Sequence, residues 1–380
     1  MQPFDSQHQT RLIFGEGKLS ELGELAKSLR ATSALIVSDR GIMEAGHHAM
    51  AEKSLSEAGI TFSCFHDFGE NPTSAMVDAG VRQAAISKPD LLIGLGGGSS
   101  MDCCKGINFV YSCGGSIHDY HGTGKATANM LPMIAVPTTA GTGSEAQSCA
   151  LISDAETHTK MACGDVRAAA RIALLDPLLT LTQPRAVTVL TGIDAISHAV
   201  ETRVSTRRNA MSVTYSQRAF GMLVRGFDRI LEQPMDIEAR SMMQLGAYFA
   251  GLAIENSMLG AAHATANPLT AHYGITHGQA VGVMLPSVIR FNAEPCASQY
   301  CQLVREVNPE IPQDNASESL AELITDLLRK SHLATTLKEL SVTSDQYNQL
   351  SIDAMKQWTG NFNPVSLSEE RVIDLYRAAN

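Results

Sequence analysis

The sequence predicts a chain in two parts: an α/β domain built on a parallel sheet over residues 1–180, followed by an all-helical domain over residues 181–380. Three observations carry that prediction. The chain has 380 residues, more than the ~250–300 at which a single hydrophobic core stops growing. Its first half alternates short apolar runs with helix-length segments, the pattern of βαβ units. Beyond about residue 180 the strand-like runs stop and long periodic segments take over.

Taken in order, the predicted strands are SALIVSD (33–39), TFSCFHDF (61–68), DLLIGLG (90–96), PMIAVPT (132–138) and RIALLDP (171–177). These runs are β-branched or apolar, and strands alternating with helix-length segments imply a parallel sheet. Helical segments are expected between them around 18–30, 43–59, 73–87 and 99–113. The stretch LLDPLLTLTQP supplies turn residues at the boundary. After it, helical periodicity covers 184–203, 208–232, 236–258 and 317–330, and SLSEERVIDLYRAA (366–379) opens with a capping-type serine.

Composition narrows the function classes. The formal net charge of −10 disfavours nucleic acid or an anionic membrane as a partner, since both demand a basic surface. Eight cysteines are scattered with no CxxC pair, which points to reduced thiols and not to a disulfide scaffold. The opening MQPFDSQHQTRLIFGEGKL lacks the apolar core of a secretory signal, and no run approaches the ~18 apolar residues of a membrane span. A soluble, cytoplasmic protein is the expectation.

Two loops carry the first functional signal. LLIGLGGGSSMDCCKG (91–106) runs from a buried strand through three consecutive glycines, Gly96, Gly97 and Gly98, and then Ser99 into a helix. Glycines there let backbone N–H groups approach a pyrophosphate at the positive helix end. The spacing departs from G-x-G-x-x-G, because Ser99 stands where the third glycine belongs. PTTAGTGSE (137–145) follows a second apolar run and offers the hydroxyls of Thr138, Thr139 and Thr142 to phosphate or ribose oxygens. Asp39, ending the first strong strand, suits a ribose diol and would repel a 2′-phosphate, favouring NAD over NADP. It precedes the glycine loop, the reverse of the usual order.

The second signal is TGIDAISHAVE (191–201). Asp194 and His198 fall four apart on one helical face. A lone histidine so placed reads first as a hydrogen-bonded core residue. LGAAHATANPLTAHYGITHGQAVGVMLP (259–286), however, is nearly uncharged and adds His263, His272 and His277. Neutral imidazoles in an apolar segment make sense as ligands, and one carboxylate with two or three of them suits Fe(II), Zn(II), Mn(II) or Co(II). His272, in an apparent turn before YGITHG, fits that role least.

With these residues collected, the chain resembles the iron-containing (group III) alcohol dehydrogenase family, related to glycerol dehydrogenases and maleylacetate reductases. The resemblance runs end to end through FGEG (14–17), NPT (71–73), GGGSSMD (96–102), PTTAGTGSE, DP (176–177), TGIDAISHAVE and YGITHG. It implies a dinucleotide-binding α/β domain, a helical domain, and a metal in the cleft between them. Carried over by position, it implies Asp194, His198, His263 and His277 as metal ligands, with His272 excluded. The metal would be Fe(II) first, Zn(II) second. For NAD it implies Asp39, Asn71, Gly97, Gly98, Ser99, Thr138, Thr139, Thr142, Lys160 and Leu179. It also implies a homodimer or larger homo-oligomer.

Two departures stand out. Family members often carry a second histidine in an H-x-x-x-H-P pattern where this chain has HATANP with Asn267, and Asn267 cannot relay a proton by titrating. Cys149 stands where an aromatic or polar cofactor neighbour is common. The expected activity is reversible hydride transfer between NAD(H) and a small alcohol and its aldehyde or ketone, with no conventional acid or base assignable. Ile254 and Glu255 are candidate substrate contacts. Two alternatives remain open: a metal-dependent, NAD-using lyase or synthase of the dehydroquinate synthase type, and a non-catalytic nucleotide- or metal-binding protein. The absence of Lys and Arg from 259–286 speaks against the first, whose substrate would need them.

Overall fold

The computed structural model describes residues 3–157 and 159–380. In the α/β unit, β1 (Arg11–Phe14) is followed by α1 (Leu22–Ser28), β2 (Ser33–Val37), α2 (Arg40–Glu44), α3 (His47–Glu57) and β3 (Thr61–Phe65). Then come α4 (Ser74–Ser87), β4 (Leu91–Gly96), α5 (Gly98–Cys113), β5 (Gly122–Thr123), β6 (Met133–Pro137), β7 (Cys149–Ser153), β8 (Lys160–Gly164) and β9 (Ile172–Leu175). Six of these strands form one sheet in the order β1-β9-β6-β4-β2-β3, and every pairing in it is parallel. Ala34 and Ile36 of β2, with Leu91, Ile93 and Leu95 of β4, enter the core on one face. Leu35, Val37 and Leu92 enter the core on the other. Period-two alternation with both faces covered is why these runs read as continuously apolar.

The sheet order puts a switch point between β2 and β4. From β2 the chain moves outward to β3, then returns to lay β4 against the other side of β2. In open parallel sheets the crevice at the carboxyl ends of such a strand pair is where ligands bind.

Three features differ from the sequence expectation. The helix expected over 43–59 is broken in two by Gly46 at φ 82°, a left-handed position that starts α3. The strand expected over 61–68 ends at Phe65. A second sheet, β5-β8-β7, was not anticipated; its β7 and β8 pair antiparallel from Cys149↔Gly164 to Ser153↔Lys160. Only alternate residues of β7 and β8, Ala150, Ile152, Met161 and Cys163, reach a core, against Phe109 and Ile117.

The helical unit contains α6 (Arg185–Val204), α7 (Ala210–Glu232), α8 (Ile237–Glu255), α9 (Ala261–Tyr273), α10 (His277–Phe291), α11 (Ala293–Val304), α12 (Gln313–Lys330), α13 (Tyr347–Met355) and α14 (Glu369–Ala378). Contacts group Ala140–Thr142 with these helices, whereas Gln7–Thr139 and Gly143–Gln183 make up the α/β unit. Close helix approach is bought by small residues: a Cβ on Gly192 of α6 would lie 2.5 Å from the Phe227 ring of α7. No helix among the described residues is long and apolar enough to cross a membrane.

Candidate active site

Three helices supply the carboxylate and imidazoles. Asp194 and His198 share one face of α6, His263 lies in the first turn of α9, and His277 is the first residue of α10. Their side chains meet at one oxygen. The Nε2 atoms of His198, His263 and His277 lie 3.3, 3.4 and 3.6 Å from Asp194 Oδ1. Despite these short approaches, Asp194 Oδ1 and His263 Nε2 are buried without a hydrogen-bond partner. The rings of His198 and His263 stack at 5.0 Å, and His277 is tilted against His263 at 5.2 Å. Ligand atoms of Asp194, His263 and His277 all lie within 4.8 Å of one another; His198 reaches the group through Asp194. Its neighbours shape the charge balance: burial pushes Asp194 up, but the three imidazoles override it and hold the carboxyl below its usual range. Burial lowers His198, with Asp194 opposing, while His263 is lifted to about 9 because Glu201 and Asp194 outweigh its burial.

Glu201, one turn further along α6, explains the orientation of His263. Its Oε2 accepts a hydrogen bond from His263 Nδ1 at 2.5 Å and its Oε1 accepts one from the Ala262 backbone N–H at 2.7 Å. With Nδ1 committed to Glu201, Nε2 is the ring nitrogen that faces Asp194, where a bound cation would take the place of its proton. Sequence reasoning passed over Glu201, although its spacing from Asp194 and His198 continues the same helical face. The donor set fits a divalent cation: one carboxylate and three imidazoles, with Asp194 Oδ1 and His263 Nε2 buried and unsatisfied among the described residues.

His272 is not in an inter-helix turn, as its neighbours suggested. It lies in the last turn of α9, whose end is set by Gly274 at φ 65°, and pairs with Asp353 at 2.9 Å. Asn267 Nδ2 donates to Gln357 Oε1 at 2.9 Å. Ile254 is buried near the end of α8 and Glu255, the last residue of that helix, is exposed.

In the α/β unit the glycine loop joins the end of β4 to the start of α5, with Gly97 as the N-cap and Gly98 the first helical residue. Gly96 sits at φ 145°, and a Cβ there would lie 2.3 Å from Ser100 Oγ. Asp39 caps α2 by accepting from Ile42 N–H at 3.2 Å, and its other oxygen accepts from Ser100 Oγ at 3.3 Å. The acid therefore does reach the glycine loop: it follows the end of β2 by two residues, and β2 pairs directly with β4. Strand order removes the apparent reversal. Asn71, in the left-handed region at φ 53°, donates its backbone N–H to Ser99 Oγ at 3.3 Å. Thr138 donates its N–H to Gly96 O at 2.9 Å, and its buried Oγ1 lacks a hydrogen-bond partner. Thr139 packs against Gly97, where a Cβ would lie 3.3 Å from its methyl.

The remaining candidates are placed differently. Lys160 opens β8, exposed, and acts electrostatically on Asp102. Leu179 is 2% exposed and its side chain belongs to the core beneath the sheet, with Leu95 and Val136. Thr142 falls in the segment grouped with the helical unit. A buried network beside the glycine loop was also missed. Lys105 Nζ donates to Ser144 O, Ser144 Oγ and Cys149 O at 2.6, 2.9 and 2.9 Å, and Ser144 Oγ donates to Asp102 Oδ1 at 2.8 Å. It ties the 137–145 loop to α5. Burial pushes Asp102 up, and Glu145 up to about 7.

The chain belongs to the iron-containing alcohol dehydrogenase family and is an enzyme of that type. The family model for iron-containing alcohol dehydrogenases matches residues 9–177, and the model for the family's C-terminal part matches residues 188–380. Alcohol dehydrogenase 4 of Schizosaccharomyces pombe is 31% identical over 369 residues, covering 97% of this chain and 87% of that protein. Among solved structures, a 1,3-propanediol oxidoreductase superposes with a TM-score of 0.96 at 28% identity, over 100% of both chains. The sulfoacetaldehyde reductase of Bifidobacterium kashiwanohense, in complex with NAD+, gives 0.92 at 27% identity over 100% of this chain and 99% of that one.

Proposed function

We propose that this enzyme transfers hydride reversibly between NAD(H) and a small alcohol and its aldehyde or ketone, at a divalent cation held by Asp194, His198, His263 and His277. Fe(II) is the first choice of ion and Zn(II) the second, both suited to a mixed carboxylate and imidazole set. The observation that carries the reading is the convergence of three imidazole Nε2 atoms on Asp194 Oδ1 at 3.3–3.6 Å. A cation bound there supplies Lewis acidity, lowering the pKa of an alcohol and polarising a carbonyl. Asp194 and the imidazoles orient it, and Glu201 holds His263 in the ligating tautomer.

We assign NAD to the α/β domain, residues 1–180, and the cation to the helical domain, residues 181–380. Gly97, Gly98 and Ser99 offer backbone donors at the α5 N-terminus for the pyrophosphate. Thr138, Thr139, Thr142 and Asn71 are assigned to polar contacts with the dinucleotide, Lys160 to a charged one, and Leu179 to its backbone alone. We place the enzyme in the cytoplasm as a homodimer or higher homo-oligomer. The decisive test follows NADH absorbance with a panel of aldehydes, in metal-loaded protein and after chelation. Turnover that stops on chelation and returns with the metal is expected; chelator-insensitive turnover refutes the assignment, and silence with every metal and substrate leaves a binding protein.

Asp39→Asn keeps the α2 cap and removes one negative charge beside the glycine loop. A charge contact near a protein surface is worth on the order of 1–4 kcal/mol, so the NADP-to-NAD ratio of kcat/KM should rise at least ~5-fold. An unchanged ratio removes Asp39 from cofactor selection. Glu201→Gln should weaken the metal ~10–100-fold in a chelator competition, the usual cost of losing a carboxylate behind a ligating histidine. Wild-type affinity in that variant would show that His263 is oriented by something else.

A further inference from the structure

A second group of metal-ligating side chains lies in the α/β unit, on residues the activity does not use. His48 and Glu52 stand one turn apart on α3, and Cys64 projects from β3, the edge strand of the sheet. His48 Nδ1 is 3.3 Å from Glu52 Oε1, and Cys64 Sγ donates to the same oxygen at 3.7 Å. One donor atom from each of the three lies within 4.8 Å of the other two. Bond lengths of ~2.0–2.3 Å about a tetrahedral ion place neighbouring ligand atoms roughly 3.3–3.8 Å apart. Both short separations match.

We propose that His48, Glu52 and Cys64 form a second cation site, for a borderline divalent ion of the Zn(II) class, that clamps α3 to the edge strand. The three donors are of different kinds, imidazole nitrogen, carboxylate oxygen and sulfur, and this mixture selects Zn(II) or Co(II) over the hard cations Mg(II) and Ca(II). The His48 side chain is 6% exposed and that of Glu52 37%, so the imidazole is held in place while the carboxylate leaves a way in for the ion and a place for water as fourth ligand. Burial lowers the pKa of His48, with Glu52 opposing, which leaves it a neutral donor. The ring turns Nδ1 toward Glu52, and Nε2 is buried without a hydrogen-bond partner among the described residues. Burial and the neighbouring Glu52 charge push the Cys64 thiol up to about 12, so the metal-free cluster keeps the S–H bond. On binding, the S–H bond breaks, a sulfur–metal bond forms and the proton leaves to solvent. One thiolate, one carboxylate and a neutral imidazole then balance the ion's charge. Nothing in this proposal depends on the assignment of the Asp194 cluster, which contains no sulfur.

The test is anaerobic titration of the full, metal-stripped chain with Co(II), read by absorbance and by bound metal per chain. A thiolate-to-cobalt charge-transfer band in the near ultraviolet is expected, and it should persist in His263→Ala, where the Asp194 cluster is disabled. Cys64→Ser should abolish the band and lower the bound metal by one equivalent, and His48→Gln should weaken binding at least ~10-fold, as loss of one of three protein ligands requires. Cys113→Ser, in the same unit, should leave the band unchanged. A titration without the band, or a band that survives Cys64→Ser, overturns the site.

Discussion

His263→Ala and His198→Ala will each leave protein that retains no stoichiometric metal and shows no turnover. Four side chains on three helices meet at Asp194 Oδ1, and the two histidines are among the most enclosed, with side chains only 5–6% exposed. Water cannot readily replace an imidazole there in the geometry a bound ion needs. His263→Ala also strands Glu201, whose side chain is 3% exposed and would keep only its bond from the Ala262 backbone. Removing one partner of a buried ionic pair costs about 3–5 kcal/mol, so this variant should also melt earlier than His198→Ala. His272→Ala is the control. Its partner Asp353 sits on α13, its side chain is 42% exposed, and an exposed pair of this sort is worth about 0–1 kcal/mol. It should keep both metal and activity. Elemental analysis of the purified variants decides the matter: full occupancy in either His198→Ala or His263→Ala contradicts the ligand assignment.

Much of this arrangement was legible in the residues, for reasons that can be named. The parallel sheet announced itself because both of its faces are covered, which leaves strands such as LLIGLG without a polar residue. The glycine loop was legible because Gly96 at φ 145° meets a requirement few other residues can meet. The β7–β8 pair was not, since only alternate residues of these short strands reach a core. The placement of Asp39 was half legible. The chemistry of a strand-end carboxylate could be read from position, but its closeness to the glycine loop is a consequence of β2 lying beside β4, and strand order is not written in any local pattern. Helices α9 and α10 were obscured by Pro268 and Pro286, which lie inside them and read locally as helix breaks. Glu201 illustrates the limit of spacing arguments. Its place on the face of Asp194 and His198 could be counted, but the acceptor role depends on where the first turn of α9 arrives.

Gly278→Ala should be the most damaging single-methyl change near the metal cluster, although Gly278 is not among the four clustered side chains. A Cβ at Gly278 would lie 2.2 Å from Leu190 O and 2.7 Å from Leu190 C. Both atoms are backbone, so no side-chain rotation relieves the clash and α10 must retreat from α6. Leu190 is one turn before Asp194, and Gly278 directly follows His277; the retreat therefore pulls the imidazole of one helix away from the carboxylate of the other. Overpacking of this sort costs about 1–3 kcal/mol, and a ligand displaced by even a fraction of an ångström is expected to lower metal affinity at least ~10-fold, like the loss of a group that orients a ligand. Gly274→Ala separates this effect from glycine chemistry in general. Gly274 adopts φ 65° but has nothing within 4 Å of an added Cβ, so alanine there pays only the roughly 1–2 kcal/mol of a left-handed backbone and should hold metal normally. Measured side by side, the two variants should lose similar thermal stability yet differ by an order of magnitude in chelator competition. Equal metal affinities would mean that the approach of α10 to α6 does not set the geometry of the cluster, and that His277 is positioned by its own loop.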